Sequence, residues 1–370
     1  MDNPLLSPHE LPRFDLVNAH HVVPGIRALL EDAARALDLL EKDAPPTWET
    51  VERLTDLGEP LGRAWGLVTH LMGVRNSPEL RAAHAEVQGD VVMFSMRVAQ
   101  SMPLFRAMEG LKNGPAWNAL DSAQRRTVEQ ALLRARLSGL ALEGAQRERF
   151  NALEQELSEL GTAFGNHVLD ATKAWSMTLE NPADVEGLPV SALQAAAAAA
   201  RAAGQEGATP EKGPWRITLD APSLSAFLKH ARRRDLREKL YRAYVTRAST
   251  GDLDNAPVIQ RILALRREKA LLLGYATYAE VSLAEKMAPG VEAVEKLLED
   301  LRVRSRAAAE RDLADLRALA PGGDVALWDV EFLSERLREQ RFNYTEEELR
   351  PYFALPRVLE GLFGLCERIF

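Results

Sequence analysis

The most suggestive chemical pair lies near the N-terminus, in the pentapeptide HELPR at residues 9–13. A zinc-binding helix of the His-Glu-x-x-His type places two histidines four residues apart on one face, with a glutamate that activates the metal-bound water. Here the fifth residue is Arg13. Pro12 would also remove a backbone donor from such a helix and clash with its preceding turn. We therefore interpret His9 and Glu10 as part of an extended or turn segment, not as a zinc site.

The other histidines show no spacing that builds a metal site on one helix. They are His20, His21, His70, His84, His167 and His230. None has a second histidine or a glutamate three or four residues away. Asp170 follows His167 by three residues, and we interpret the two as a hydrogen-bonded or solvated helix pair. His20 and His21 precede a predicted helix and suit a capping role.

Nucleophile and phosphate-binding motifs are absent from the sequence, which contains no GxSxG, GxGxxG or Gly-Lys-Ser/Thr. Cys366 lies in the apolar run GLFGLCERIF, which predicts a small buried side chain. Gly58, Gly62 and Gly66 are four residues apart, a spacing that favours close helix packing over nucleotide binding. No nucleophile or nucleotide site is predicted.

One stretch of the chain is strongly basic. It contains Lys229, His230, Arg232, Arg233, Arg234, Arg237 and Lys239. Asp235 and Glu238 interrupt it, and the helical phase scatters the charges around the helix. A solvated, salt-bridged helix is therefore favoured over a nucleic-acid surface. Taken alone, the residues identify no catalytic, cofactor-binding or metal-binding side chain and name no reaction.

Composition restricts the class of protein. The 370 residues are 46% hydrophobic and 27% charged, with a formal net charge of −8, which is typical of a soluble globular protein. The acidic balance disfavours nucleic acid and anionic membranes as partners. A single cysteine suits a reducing compartment, the N-terminus shows no signal-peptide pattern, and no apolar run approaches the ~20 residues of a membrane span. We expect a cytoplasmic protein.

Helical periodicity dominates the chain and predicts a mainly α fold. Helices are expected to begin near Pro24, Thr47 and Pro78. One long apolar stripe is read as core: Phe150, Leu153, Leu157, Leu160, Phe164 and Val168. Alternating segments predict a small β pair near residues 174–180 and 214–220, with a helix over the alanine run between them. We expect an N-terminal helical lobe at 1–172, a β-helix-β seam at 173–221 and a third domain at 222–370.

Several stretches together resemble the thimet oligopeptidase family of zinc metallopeptidases. They include HVVPGI, NSPELR, LSELGTAFGNHVLDAT, ILALRREKALLLGYATYAEVSLAEKMA and WDVEFLSERLREQRFNYTEEELRPYF. The resemblance extends over the chain in order. It implies a two-lobed helical enzyme, usually monomeric, that hydrolyses short peptides in a deep channel with zinc on its floor. The third domain is then the start of the peptidase domain.

The same resemblance implies that the catalytic segment is missing. The family carries His-Glu-x-x-His on one helix and a glutamate ligand on the next, in its C-terminal half, and members are nearly twice as long as this chain. No zinc ligand or general base can be carried over to a residue here, so the chain is predicted to bind no zinc and to be inactive alone.

Two interpretations stay open at this point. The chain is either a truncated oligopeptidase or a non-catalytic helical module that binds peptides or a partner. LCERIF stops within an apolar helical pattern, which favours truncation. Truncation also predicts that a stripe near the end lies partly open to water and promotes self-association. The stripe comprises Leu355, Val358, Leu359, Leu362, Phe363 and Leu365.

Overall fold

The computed structural model describes residues 3–7 and 11–370 and is mainly α-helical, which confirms the predicted fold class. His9 and Glu10 lie outside the described residues, so the interpretation of HELPR stays a prediction. The α-helices are α1 (Ala19–Lys42), α2 (Trp48–Val74), α3 (Pro78–Ala99), α4 (Met102–Asn113), α5 (Ser122–Leu137), α6 (Gly144–Ala174), α7 (Val190–Ala202), α8 (Ala221–His230), α9 (Arg234–Val245), α10 (Ala256–Leu272), α11 (Tyr278–Leu283), α12 (Val291–Leu319), α13 (Val330–Phe342), α14 (Glu346–Leu349) and α15 (Leu355–Ile369). The two strands are β1 (Ser176–Leu179) and β2 (Trp215–Thr218).

Capping chemistry explains where several helices begin. Helix α3 starts at Pro78, and the Ser77 hydroxyl accepts a hydrogen bond from the backbone N–H of Leu80 at 3.2 Å. Helix α2 follows directly after Thr47, as the sequence predicts. Local sequence specifies the start of α3, because the capping residue Ser77 stands immediately before the apolar periodicity.

Helix α1 begins earlier than the sequence predicted. It starts at Ala19, so Pro24 lies inside the helix and not in its first turn. The ring nitrogen Nδ1 of His21 accepts a hydrogen bond from the backbone N–H of Asn18 at 3.1 Å. This contact occupies a donor at the helix start, and it confirms the predicted capping role for His21.

The β pair lies where alternation predicted it. Strands β1 and β2 are antiparallel, with Met177 opposite Ile217 and Leu179 opposite Trp215. All four side chains are buried, and α7 covers them with the alanine-rich face predicted between the strands. The Trp215 indole donates to the backbone oxygen of Pro210 at 3.0 Å, which leaves its buried N–H paired.

The chain divides into two compact units. Unit 1 comprises Met1–Gly165 and Ala256–Leu297, and unit 2 comprises Asn166–Asn255 and Leu298–Phe370. These boundaries differ from the three predicted domains, because residues 256–297 join the first unit after the chain has passed through the second. Sequence order alone gives no sign of such a return. Among the described residues, no helix has both the length and the apolar character needed to cross a membrane.

Unit 1 is built around apolar side chains of α1 to α5. One cluster includes Val22, Ile26, Val68, Leu71 and Val87, and a second includes Leu37, Leu40, Leu104, Leu111 and Val128. The stripe of α6 was predicted to be core throughout, which is wrong for most of its length. Only Phe150 and Leu153 are buried, and Phe164 is exposed. Periodicity identified the apolar face, but beyond Leu153 the stripe is only half-buried at Leu157, Leu160 and Val168.

Unit 2 has a dense core and a sparsely packed end. Its large cluster surrounds Trp215 and Phe227, whereas the cluster near α13 contains three buried side chains, Leu316, Ala320 and Leu333. Helix α15 has no buried residue in the described structure.

Candidate functional site

The candidate site in unit 2 is an open cavity of about 590 Å³ beside α8 and α13. Its wall includes Ser191 at the start of α7, Lys229 and His230 at the end of α8, and Arg336 and Glu339 on α13. Helix α8 contacts both α7 and α13, so three rigid elements set the cavity's shape. Ionisable and hydroxyl groups line most of this wall, and the cavity is therefore suited to polar ligands.

Three potential metal ligands lie close together beside this cavity, and two of them, His230 and Glu339, line it. His230, Glu335 and Glu339 each offer a ligand atom, and these atoms all lie within 4.8 Å of one another. Glu335 is buried, whereas His230 and Glu339 are half-buried. The two glutamates are four residues apart on α13, which places them on the same helical face. Within the described residues this is the group of histidine and acidic side chains that lie close enough together to hold a metal ion.

Two arginines neutralise this ligand group. The Arg336 Nη2 donates to Glu339 Oε1 at 2.7 Å and lies 3.4 Å from His230 Nδ1. Arg338 pairs with Glu335. The Arg336 side chain is 30% exposed and lies over the Phe332 ring, yet its Nε is buried without an acceptor. A guanidinium group thus bridges the histidine and Glu339, with one of its donors left unsatisfied.

A second acidic group lies across the cavity. The Ser191 hydroxyl donates to Glu347, and Arg350 pairs with the same carboxylate at 2.9 Å. Glu347 therefore lies near the N-terminus of α7, where the helix dipole favours negative charge. The Glu347 carboxylate therefore balances the positive charge of Arg350 and of the helix N-terminus at this end of the cavity wall.

A buried ion pair fixes the start of α13. Arg237 and Asp329 are 4% and 3% exposed, and the Arg237 Nη2 donates to Asp329 Oδ1 at 2.8 Å. Arg237 also donates to the backbone oxygens of Ala231 and Trp328. Burial opposes ionisation of Asp329, but hydrogen bonds from Arg234 and Arg237 outweigh it and lower its pKa. The pair therefore joins α9 to α13, the helix that carries Glu335 and Glu339.

The basic stretch is only partly the solvated helix that the sequence predicted. The Arg233 guanidinium pairs with Asp235 and lowers the pKa of that carboxyl to about 2, and both side chains are exposed. For Arg237 the prediction was wrong, because the side chain is buried against Phe332 and Asp329. The signal that sequence analysis missed is the dipeptide Trp328-Asp329, whose acid pairs with this arginine across the fold.

The structure also places three other side chains that the sequence analysis named. His167 forms a hydrogen bond with Asn255, at 2.9 Å between Nδ1 and Oδ1, and its pairing with Asp170 stays a prediction. Cys366 was predicted to be buried and is exposed, because no element of the described chain packs over α15. Buried His84 stacks on Trp65 with ring centroids 4.5 Å apart, and burial lowers the pKa of this histidine.

The glycines of α2 do not mediate close helix packing. A Cβ atom added at Gly58, Gly62 or Gly66 would meet no other atom within 4 Å, so the predicted contact is wrong. Gly58 and Gly62 line an apolar cavity of about 470 Å³ in unit 1, together with Trp65 and Phe94. The space beside these glycines is open, whereas their four-residue spacing predicted close contact with another helix.

Sequence analysis did not identify His230, Glu335 and Glu339 as a set of metal ligands. Glu335 and Glu339 have helical spacing, but His230 belongs to a helix distant in sequence, and only the fold brings it near them. This set of one histidine and two glutamates differs from two histidines with an intervening glutamate. Arg336 also pairs with Glu339 and contacts His230, so the described residues do not fit a catalytic zinc of the His-Glu-x-x-His type.

Comparison with known proteins adds information that the cavity does not give. Residues 26–147 match the family model for the neurolysin and thimet oligopeptidase N-terminal domain, and residues 227–370 match peptidase family M3. The whole chain is 49% identical to a probable cytosolic oligopeptidase A of Arabidopsis thaliana, covering 53% of that protein. It is 38% identical to oligopeptidase A of Escherichia coli, covering 55%. The chain spans about half the length of the curated relatives it matches.

Proposed function

This chain belongs to the thimet oligopeptidase and oligopeptidase A family, and we propose that it contributes to the activity of an oligopeptidase A-type zinc metallopeptidase that hydrolyses short peptides. The observation that carries the proposal is the 49% identity to the Arabidopsis relative over all of this chain. Similarity that extends over both units favours a shared activity over a shared fold element alone.

In this proposal the chain contributes to peptide binding, and zinc chemistry is supplied by residues outside these 370. Zinc in a peptidase activates water and polarises the scissile carbonyl. The sequence has no His-Glu-x-x-His, and in the ligand set found among the described residues Arg336 pairs with Glu339, so no catalytic step is assigned to a side chain here. The 370 residues alone are then inactive on peptides. The name of the Arabidopsis relative also supports a cytosolic location for this protein.

The experiment that tests the function fuses this chain to the part of a relative that would supply the zinc site. The 370 residues are fused to the part of the Arabidopsis relative that they do not align with, and the purified chimaera is assayed with a quenched fluorescent peptide. We expect cleavage that a chelator abolishes and added zinc restores. The 370-residue chain and the relative's part, each assayed alone, are the matched controls and should not cleave.

A folded chimaera that holds one zinc and cleaves no short peptide would contradict the proposed function. The alternative function is a non-catalytic helical module that binds peptides or a partner. It is favoured if the 370-residue chain alone binds the test peptide tightly while the zinc-loaded chimaera stays inactive. Chelator-sensitive cleavage by the 370 residues alone would instead overturn the assignment of zinc chemistry to other residues.

A further inference from the structure

We propose that His230, Glu335 and Glu339 form a gated site for a divalent transition-metal ion, with the Arg336 guanidinium as the resident cation that the metal displaces. The residues belong to the end of α8 and to one face of α13, two helices in contact within unit 2. The inference concerns metal binding by these residues and does not depend on the proposed peptidase function.

The ligand types select the kind of ion. An imidazole nitrogen and two carboxylates suit Zn²⁺, whereas Mg²⁺ and Ca²⁺ prefer oxygen ligands throughout. The four-residue spacing of Glu335 and Glu339 directs both carboxylates from α13 toward the same side. His230 completes a three-ligand set from the neighbouring helix.

The distances require a modest contraction. The ligand atoms lie within 4.8 Å of one another, whereas ligands around a tetrahedral zinc with bonds of about 2.0–2.2 Å lie about 3.3 Å apart. Glu335 is buried and held by Arg338. The movement therefore falls to His230 and Glu339, which are half-buried and border the open cavity.

The position of Arg336 is the reason to regard the site as gated. Its Nη2 lies between Glu339 and His230, where a metal ion would bridge the same two groups. Its Nε is buried without an acceptor, so this arginine is not fully satisfied where it lies. It is also partly exposed and borders the cavity, into which the guanidinium can rotate and be hydrated.

The charges around the site predict whether removal of Arg336 strengthens or weakens metal binding. Two carboxylates face two guanidinium groups here, so a metal ion gains no net attraction until Arg336 leaves. Replacing Arg336 by an uncharged side chain should therefore strengthen metal binding. A purely structural ion-pair network predicts the opposite, since losing Arg336 would loosen the helix face without creating a site.

The test is titration of the purified 370-residue chain with Zn²⁺ by calorimetry, and with Co²⁺ by visible absorption. Arg336→Gln should raise the affinity on the order of tenfold, because a positive charge beside the ion is removed. His230→Gln or Glu339→Gln in the Arg336→Gln background should lower it by at least about tenfold, since loss of a ligand exceeds loss of an outer partner. Far-UV circular dichroism verifies that each variant folds.

Two matched controls separate this site from adventitious binding. Glu299→Gln removes a carboxylate from a helical i,i+3 ion pair with Arg302 and should leave metal binding unchanged. His21→Gln tests exposed His20 and half-buried His21, whose rings lie 3.9 Å apart. The proposal is overturned if Arg336→Gln binds no tighter than the native chain. It is also overturned if His21→Gln abolishes binding while His230→Gln in the Arg336→Gln background does not weaken it.

Discussion

Helices α1 and α15 have similar sequence patterns and opposite environments. In both, apolar residues recur at three- and four-residue steps, so each has one apolar face. Seven residues of α1 are buried, among them Ile26 and Leu37, whereas no residue of α15 is buried. Periodicity therefore specifies the face that a helix offers, but the element that covers this face is specified elsewhere in the fold.

The exposed face of α15 agrees with the expectation from sequence. Its six predicted side chains are between 40% and 67% exposed: Leu355, Val358, Leu359, Leu362, Phe363 and Leu365. At roughly 25 cal/mol per Å² of apolar area, leaving several such side chains uncovered forgoes on the order of 5–10 kcal/mol. That amount is comparable to the net stability of a domain.

The largest expected effect is self-association through this face. The native chain should form oligomers by light scattering, because an apolar patch of this size favours association. Leu362→Gln with Phe363→Gln should shift it toward monomer, whereas Glu360→Gln on the same helix should not. We also expect faster hydrogen exchange after Pro222 than before it. A monodisperse native monomer with equally slow exchange in both regions would contradict the comparison.

The next effect concerns the ion pair that holds α13. Asp329→Asn should destabilise unit 2 by about 3–5 kcal/mol, because it leaves the Arg237 charge buried without its partner. Urea unfolding, followed by a probe in unit 2, measures the loss. Glu299→Gln is the surface control, and its loss should be much smaller because this ion pair is exposed to water. Equal losses in the two variants would show that burial of Arg237 and Asp329 adds nothing.

The same pair predicts a dependence on pH. The pKa of Asp329 is lower when folded than when unfolded, so its stabilising contribution is present above about pH 4 and is lost as the pH falls through the lowered value. Asp329→Asn should flatten the acid limb of stability against pH. An unchanged acid limb in this variant would assign the limb to other carboxylates.

A leucine-to-alanine substitution in each helix tests the comparison directly. Leu37 is fully buried, and Leu37→Ala should cost about 2–5 kcal/mol, since it removes buried methyl groups and leaves a cavity. Leu362 is 51% exposed, and Leu362→Ala should change stability by no more than about 0.5 kcal/mol. Urea midpoints give both values. A large loss for Leu362 would mean that α15 is covered in solution.

The smallest expected effects come from glycines. A Cβ at Gly25 in α1 would lie 2.7 Å from the Asn3 amide nitrogen and 3.1 Å from Leu5, so Gly25→Ala should destabilise. At Gly361 in α15 nothing lies within 4 Å, and Gly361→Ala should stabilise by about 0.5–1 kcal/mol through helix propensity. Thermal unfolding compares the two, and the same sign for both would remove the contrast in packing.

Local signals predicted the elements well. Ser77 with Pro78, the alternation at Trp215–Thr218 and the alanine run all act within a few residues, so sequence alone placed α3, β2 and α7. Non-local packing could not be read in this way. Phe164 and Cys366 lie in apolar patterns yet are exposed, because burial depends on a partner element.

The candidate site depended on such distant contacts still more. Glu335 and Glu339 have recognisable spacing, but the residue that completes the group is His230, on a helix far away in sequence. Arg336, which contacts Glu339 and His230, has no sequence signature as a competing cation. The family resemblance was visible in long continuous stretches, because shared ancestry leaves a record that local physics does not.

The stack of Trp65 on His84 gives unit 1 an optical reporter of acidity. Neutral imidazole leaves indole emission bright, whereas imidazolium quenches it. Since burial lowers the pKa of His84, its stabilising contribution declines as the pH falls below about 6.5, while Trp65 stays unquenched until the ring takes up a proton. Trp65 is one of six tryptophans, so the difference in emission between the native chain and Trp65→Phe isolates its light. Measured against pH, that difference in emission gives the pH at which His84, in the contact between α2 and α3, is protonated.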